Sequence, residues 1–199
     1  MKFRILALCL IVSVTLLTAL SFACSNADDQ AEDYGPPQVN LPVDEGAHPE
    51  SAVEWWYLNA TLHDADGGEY TAMAAYFRPT LKILSISDLN NETFYQYVPS
   101  LWDLTHTLPD YAEGMLDLVW EESDRWYRVT EDPAAYHLKA EGGDIGFDLD
   151  IVSEKAPLTV GGDGLIEWTE GSTYYYSLTR LDINGQIEFD GKTVDVEGI

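Results

Sequence analysis

Residues 145–151, Ile-Gly-Phe-Asp-Leu-Asp-Ile, alternate between apolar or small and polar side chains without a break, and this period of two limits the fold more than any other feature. It requires an extended strand with one face in a core and the other in water, the habit of antiparallel sheets. The same texture recurs along the chain. Residues 69–78 set Tyr70, Ala72, Ala74 and Tyr76 against Thr71, Met73, Ala75 and Phe77, behind the turn cluster Asp64-Ala65-Asp66-Gly67-Gly68 and ahead of the strand-ending Pro79. Short strands are expected at 81–86, 93–98, 101–107, 126–129, 136–140, 172–181 and 194–196. Asn184-Gly185 predicts a hairpin turn with 186–189 pairing back, and Asp190-Gly191 predicts another. One short helix is expected, from Tyr111, Met115, Leu118 and Val119 at i, i+4, i+7 and i+8, with Gly114 its weakest point. Many short strands joined by Asp-Gly and Asn-Gly turns predict an all-β antiparallel barrel or sandwich.

The strand with the most chemistry is Val53-Glu54-Trp55-Trp56-Tyr57-Leu58-Asn59-Ala60, the first arm of the hairpin that residues 69–78 complete. Alternation places Trp56, Leu58, Ala60 and Leu62 on one side and Trp55, Tyr57, Asn59 and Thr61 on the other. Adjacent indoles carry apolar bulk to both sides, so neither face reads as a solvent face. The strand is expected to lie between a packed core and a second, partly enclosed space. Alanines opposite aromatics in the partner strand leave room that a tight core would fill.

Before this domain the sequence changes character. Lys2 and Arg4 precede an apolar run over residues 5–20, and Ser21, Ala23 and Cys24 follow, the layout of a secretory signal over residues 1–23. A membrane anchor is the alternative, but the run is shorter than the roughly 20 residues that span a bilayer. Ser21-Phe22-Ala23-Cys24 resembles a bacterial lipobox with serine where leucine is usual. Cys9 leaves with the signal and Cys24 then has no disulfide partner, which favours lipidation of Cys24 in the cell envelope over soluble secreted or periplasmic export. Residues 24–43, acidic and carrying Gly35-Pro36-Pro37, read as a disordered tether, and residues 44–199 as one domain.

Losing Lys2 and Arg4 takes the formal charge from -25 to -25 - 2 = -27. Such a surface repels phosphate, so nucleic acid is not an expected partner, and membrane contact is expected only through the lipid. No His-x-x-x-His or Cys-x-x-Cys spacing is present, so no metal site is expected. Asp64 to Gly68 lacks the later ligands of a calcium loop. Gly161-Gly162-Asp163-Gly164 lacks the helix and Lys-Ser/Thr of a phosphate loop, and Ser172 and Ser177 show no nucleophile elbow.

Several of these residues together carry a resemblance. His48-Pro49, Val53-Glu54-Trp55-Trp56-Tyr57-Leu58, Tyr76-Phe77-Arg78, Gly161-x-x-Gly164, Ser172-x-Tyr174-Tyr175-Tyr176-Ser177-x-Thr179-Arg180 and Gly185 resemble, in this order, the carotenoid 1,2-hydratase family of lipocalin-like proteins. The resemblance spans residues 44–199 and corresponds to the first of two lipocalin-like halves. It implies a lipocalin-like β-barrel holding an apolar, often isoprenoid, small molecule, and hydration of an isolated carbon–carbon double bond without a cofactor. In that family a Trp- and Asp-containing motif follows the stretch that Val196-Glu197-Gly198 resembles, and the hydrating acids lie there or later. Those positions are absent here, and the sequence stops at Gly198-Ile199 in or just after a strand, which reads as a fragment unless something else covers that edge.

Hydration of an unactivated alkene needs a true acid, an apolar wall and groups that stabilise a carbocation. Glu54 beside Trp55 and Tyr57 has the right chemical types, but a buried carboxylate more commonly pairs with a cation, and Arg78 is in reach on the partner strand. His48 is a second potential proton donor, though before a proline it more commonly fixes a loop. Trp55, Tyr57, Tyr76, Arg78, Tyr174 and Tyr176 are the candidate ligand-binding residues, with plain core packing as the competing role for the aromatic ones. Three functions are compatible with this: an apolar-ligand-binding domain, a hydro-lyase completed by a further half, and a non-catalytic interaction module.

Overall fold

The computed structural model describes residues 39–100, 109–121, 124–132, 134–169 and 171–199, all within the unit Gly35–Ile199. The expected signal sequence, Cys24, most of the acidic tether and the expected strand at 101–107 lie outside the described residues.

Strand β1 (Glu54–His63) pairs along its whole length with β2 (Glu69–Arg78). Asp64 builds the turn between them: its Oδ1 accepts from the backbone N–H of Asp66 at 2.8 Å and of Gly68 at 2.7 Å, and its Oδ2 accepts from the Tyr70 hydroxyl at 2.8 Å. Gly67 in that turn has φ of 89°, a conformation that glycine adopts without steric cost. The meander continues through β3 (Leu81–Asp88) and β4 (Thr93–Tyr97). A second meander comprises β5 (Asp110–Tyr111), β6 (Asp117–Glu121), β7 (Asp124–Arg128), β8 (Ala135–Gly142) and β9 (Ile145–Ser153). Then β10 (Leu158–Thr159), β11 (Leu165–Trp168), β12 (Gly171–Tyr174) and β13 (Tyr176–Ser177) form two small sheets, β10 with β13 and β11 with β12. Finally β14 (Leu181–Phe189) and β15 (Lys192–Gly198) make a hairpin that inserts between the two meanders.

The result is one antiparallel sheet of 11 strands in the order β4-β3-β2-β1-β15-β14-β9-β8-β7-β6-β5. It curls into a half-barrel of the lipocalin-like type, as the sequence predicts in outline. Alternation sorts the side chains. Leu58, Ala60 and Leu62 on β1, Leu84 and Ile86 on β3, and Leu149 and Ile151 on β9 are buried on the concave face. Ala60, Ala72 and Ala74 separate two aromatic groups there, Tyr70 with Phe189 and Tyr95 on one side and Tyr76 with Trp120 and Trp126 on the other.

Three expectations are corrected. The helix around Tyr111 is instead β5, a glycine turn and β6: Gly114 has φ of 87°, which a helix does not allow, and Leu118 and Trp120 are buried at a spacing of two. Asn184-Gly185 is not a hairpin turn but the middle of β14, where a Cβ on Gly185 would lie 2.1 Å from the Asp148 carbonyl oxygen. The glycine signals close approach of two strands rather than a reversal. Nor is β1 enclosed on both sides: Trp55 and Tyr57 are 39% and 44% exposed on the convex face. An indole pair suggested two buried faces, yet only Trp56 turns inward, where its Nε1 donates to the Glu45 carbonyl at 2.7 Å.

Candidate functional site

On β3, Lys82 occupies a position in phase with Leu84 and Ile86, so the pleat drives its stem into the core. It faces Tyr76 of β2 across the ladder, which puts both side chains on the concave face. From the other meander Asp124 arrives at the start of β7, and Lys82 and Asp124 are 2% and 1% exposed. The Lys82 ammonium pairs with Asp124 Oδ2 and donates to the Glu141 carbonyl at 2.7 Å, while the Tyr76 hydroxyl donates to Asp124 Oδ1 at 2.6 Å. Both carboxylate oxygens are thus occupied, the condition under which a buried charge is tolerated. The ammonium lies 5.3 Å from the Trp120 ring centre and 5.5 Å from that of Tyr97, within cation–π range.

Two donors complete this group. The register places Tyr111 of β5 opposite Leu118 of β6, and Leu118 opposite Trp126 of β7, so the three side chains form a row on one face. Tyr111 Oη and Trp126 Nε1 are buried and have no hydrogen-bond partner among the described residues. An unpaired buried donor costs about 1–3 kcal/mol, so two in one row call for an explanation. Burial, and then the charge of Asp124, push the Tyr111 phenol above its ordinary range, and the same two causes with the Asp124 hydrogen bond push Tyr76 well above it. Both phenols stay protonated donors at any physiological pH. The site therefore offers a fixed carboxylate, neutral phenol and indole donors, and aromatic faces.

A second buried constellation fastens the lead-in to the sheet. Glu45, in the short 3-10 turn Val43–Glu45, is 1% exposed. Its carboxylate pairs with Arg128, whose Nε donates to Oε2 at 2.6 Å, and accepts from the Tyr136 hydroxyl at 2.8 Å. The Arg128 guanidinium lies 4.8 Å from the Tyr136 ring centre. Burial, and then Glu45, push the neighbouring Tyr176 phenol above its usual range.

The sequence-predicted residues do not converge on one place. Tyr76 is in the buried group just described. Glu54 is held at the end of β1 by Arg78, whose Nη1 lies 3.0 Å from Oε2, and by His48, whose Nδ1 lies 2.6 Å from Oε1 and whose backbone N–H donates to Oε2 at 2.8 Å. Arg78 also donates to the His48 carbonyl at 2.5 Å and the Pro49 carbonyl at 3.3 Å. Trp55 and Tyr57 face outward, and the Tyr57 hydroxyl is hydrogen-bonded to that of Tyr175. Tyr174 on β12 is 59% exposed, and Tyr176 on β13 lies beside Glu45. In the buried Lys82 group, Asp124, Trp120 and Trp126 carry no sequence signal of a site, and Tyr111 carries one only for a helix. The readable signal was Lys82 itself, a cation at the inward phase of Leu-Lys-Ile-Leu-Ser-Ile.

The Glu54 group sets a pH response. Burial opposes charge on His48, but the hydrogen bond and charge of Glu54, with Asp44 and Glu50, outweigh it and raise the imidazole above its ordinary 6.5. A raised folded-state value means that the stabilisation is complete below pH 6.5 and is lost as pH rises through the folded-state value. Glu54→Gln is expected to weaken this dependence, since Asp44 and Glu50 still favour the charged imidazole, and to cost about 1–3 kcal/mol, because Arg78 keeps its carbonyl partners. Urea unfolding of both proteins between pH 5 and 8.5 measures it, and equal slopes against pH would refute it.

No protein-family model and no curated protein matches the sequence. Among solved structures, the fold is similar to that of an AttH-like protein of Nitrosomonas europaea, with a TM-score of 0.65 at 22% identity over 83% of this chain and 54% of that one. It is also similar to kievitone hydratase of Nectria haematococca, with a TM-score of 0.62 at 16% identity over 84% of this chain and 50% of that one. The likeness is one of fold. The chain spans about half the length of each of these proteins, and its half-barrel is of the lipocalin-like type that they carry.

Proposed function

We propose that the concave face binds a small molecule with an apolar, isoprenoid-like body and one oxygen that accepts from Tyr111 and Trp126. The observation that carries this reading is the pair of buried donors that have no partner among the described residues, beside the Tyr76–Asp124–Lys82 group. An oxygen-bearing ligand pairs both donors, and Trp120, Trp126 and Tyr76 supply apolar faces for its body. The second reading is a hydro-lyase of the carotenoid 1,2-hydratase kind, working with a further half such as the longer structural relatives have. It is favoured by the presence of a fixed carboxylate next to protonated phenols and by the likeness in fold to a protein named as a hydratase. In such a reaction an acid of the further half gives a proton to one alkene carbon, water adds to the other, and the protonated alcohol returns a proton to that acid, while the aromatic faces of Trp120 and Trp126 stabilise the cation.

Export and lipidation belong to the same proposal: Cys24 carries the lipid, the membrane is met only through it, and nucleic acid plays no part. Mass spectrometry of protein from its own host reads both an acylated Cys24 and any retained terpenoid. Binding is tested by tryptophan fluorescence during titration with geranylgeraniol and with the hydrocarbon phytane. Tyr111→Phe is expected to weaken the alcohol about 5- to 10-fold, the value of one hydrogen bond, and to leave the hydrocarbon unchanged. Equal binding of alcohol and hydrocarbon by the wild type, or no response to either, overturns the reading.

A further inference from the structure

Among the described residues Lys139, Lys155 and Lys192 are exposed, and Lys82 is the one buried lysine. A lysine amine is a nucleophile once it has lost its proton, and apolar walls with a base at hand are the setting in which lysines condense with carbonyl compounds. Lys82 has both. Its Nζ is hydrogen-bonded to Asp124 Oδ2, so the base is already in place, and the walls are the rings of Trp120 and Tyr97. The group is not sealed in mid-sheet. Lys82 is the second residue of β3, Asp124 the first of β7 and Glu141 the last but one of β8, so it lies where three strand ends meet. Beside it stand the Tyr111 hydroxyl and the Trp126 indole N–H, buried and without a partner among the described residues. The charge of Asp124 bears on Tyr111, and the Trp126 ring centre lies 6.1 Å from that of Tyr76, whose hydroxyl donates to Asp124. An amine, a base and two open donors are the parts that attack on a carbonyl carbon needs, the donors serving the oxygen on which charge develops.

We propose that Lys82 captures an apolar aldehyde as a protonated imine, with Asp124 as its counter-ion. This rests on the binding proposed above, with the ligand's oxygen now that of an aldehyde. The ammonium passes one proton to Asp124 Oδ2. The freed lone pair forms the C–N bond, and the π pair of the carbonyl moves to the oxygen, which accepts from Tyr111 and Trp126. A second proton then moves from nitrogen to that oxygen. Asp124 returns its proton to the new hydroxyl, the C–O bond breaks, water leaves and the nitrogen lone pair closes the C=N bond. An ammonium and an aldehyde thus give an iminium and water, with no oxidation or reduction and with the positive charge kept. The remaining N–H stays on Asp124, and the aromatic faces that flank the ammonium flank the iminium in its place. An aldehyde suits the site better than a ketone, because its carbon brings a single chain past walls that leave Lys82 2% exposed. Alcohols are then held by hydrogen bonds alone, and aldehydes are retained covalently.

The test incubates the full chain with phytanal, the saturated aldehyde of the phytane skeleton, and sodium cyanoborohydride, which reduces an imine to a stable secondary amine. Peptide mass spectrometry then maps the label. Labelling at Lys82 is expected to exceed that at each of Lys139, Lys155 and Lys192 by roughly tenfold, because an amine held beside its base and the carbonyl donors outruns amines free in water. Tyr111→Phe is expected to slow labelling at Lys82 roughly tenfold, the value of one hydrogen bond, with the exposed lysines unaffected. Lys82→Arg keeps a cation beside Asp124 but forms no imine, and its labelling is expected to fall to that of the exposed lysines. The map of the unsubstituted protein decides the question even if a variant fails to fold. Labelling at the exposed lysines alone, in protein whose tryptophan fluorescence still responds to geranylgeraniol, overturns the imine and leaves the binding reading standing. The same labelling with no response to geranylgeraniol overturns both.

Discussion

Asp124→Ala is expected to destabilise the protein by about 3–5 kcal/mol, the largest effect of any single substitution considered. The reason lies in what remains behind. Lys82 is 2% exposed, and without Asp124 its ammonium keeps only the Glu141 carbonyl and two aromatic faces. The Tyr76 hydroxyl loses its acceptor at the same time. A double change to Lys82→Met and Asp124→Leu removes both charges and is expected to be far milder, neutral or stabilising by up to about 4 kcal/mol, since a buried pair seldom outweighs its own desolvation. Urea unfolding of the two variants decides the matter. If the double variant is as damaged as Asp124→Ala, the group is held by shape rather than charge. If the double variant folds well but loses its response to geranylgeraniol, the ion pair is retained for the ligand and not for the fold.

The second large effect is expected at Glu45. Glu45→Gln keeps the size of the side chain but leaves Arg128 without a counter-charge, at an expected cost of about 3 kcal/mol. The loss should fall below that at Asp124, because the Arg128 guanidinium retains its place beside the Tyr136 ring and donates to the Tyr136 hydroxyl at 2.6 Å. The Trp56 indole bond to the Glu45 main-chain carbonyl is untouched by the change. Unfolding followed by tryptophan fluorescence and by far-ultraviolet circular dichroism therefore separates two outcomes. A lowered midpoint with coincident curves means that the lead-in is part of the cooperative unit. An early fluorescence step means that it detaches first, and that result would contradict its role as a fastener.

The parts of this structure that were legible in the sequence are those governed by a period of two. Strands β2, β8 and β9 follow from alternation, and the Asp190-Gly191 turn follows from two residues at positive φ, 52° and 69°. The Glu54–Arg78 contact was legible too, because a hairpin of known register places the two opposite each other. What alternation does not carry is which strands meet across the curl. Lys82 and Asp124 are 42 residues apart, in different meanders, and only closure of the half-barrel unites them. The aromatic strand 55–57 drew attention by composition, yet Trp55 and Tyr57 lie outside while the polar centre is elsewhere. Gly185 misled for a related reason: the same residue serves a tight turn and a close strand crossing, and its neighbours do not tell them apart.

The position of the β14–β15 hairpin has a consequence for how the chain reaches this state. Both meanders are local in sequence, but β1 and β9 become linked only when that hairpin fills the space between them. On a ribosome it emerges after both have been made, so β1 and β9 wait as open edges while the chain grows. The sheet thus closes last at its centre, and the contacts formed there have the long loops that slow folding. A strongly acidic surface keeps such waiting edges apart on different molecules, and in this light the net charge of -25 protects the assembly of the sheet as well as the finished protein.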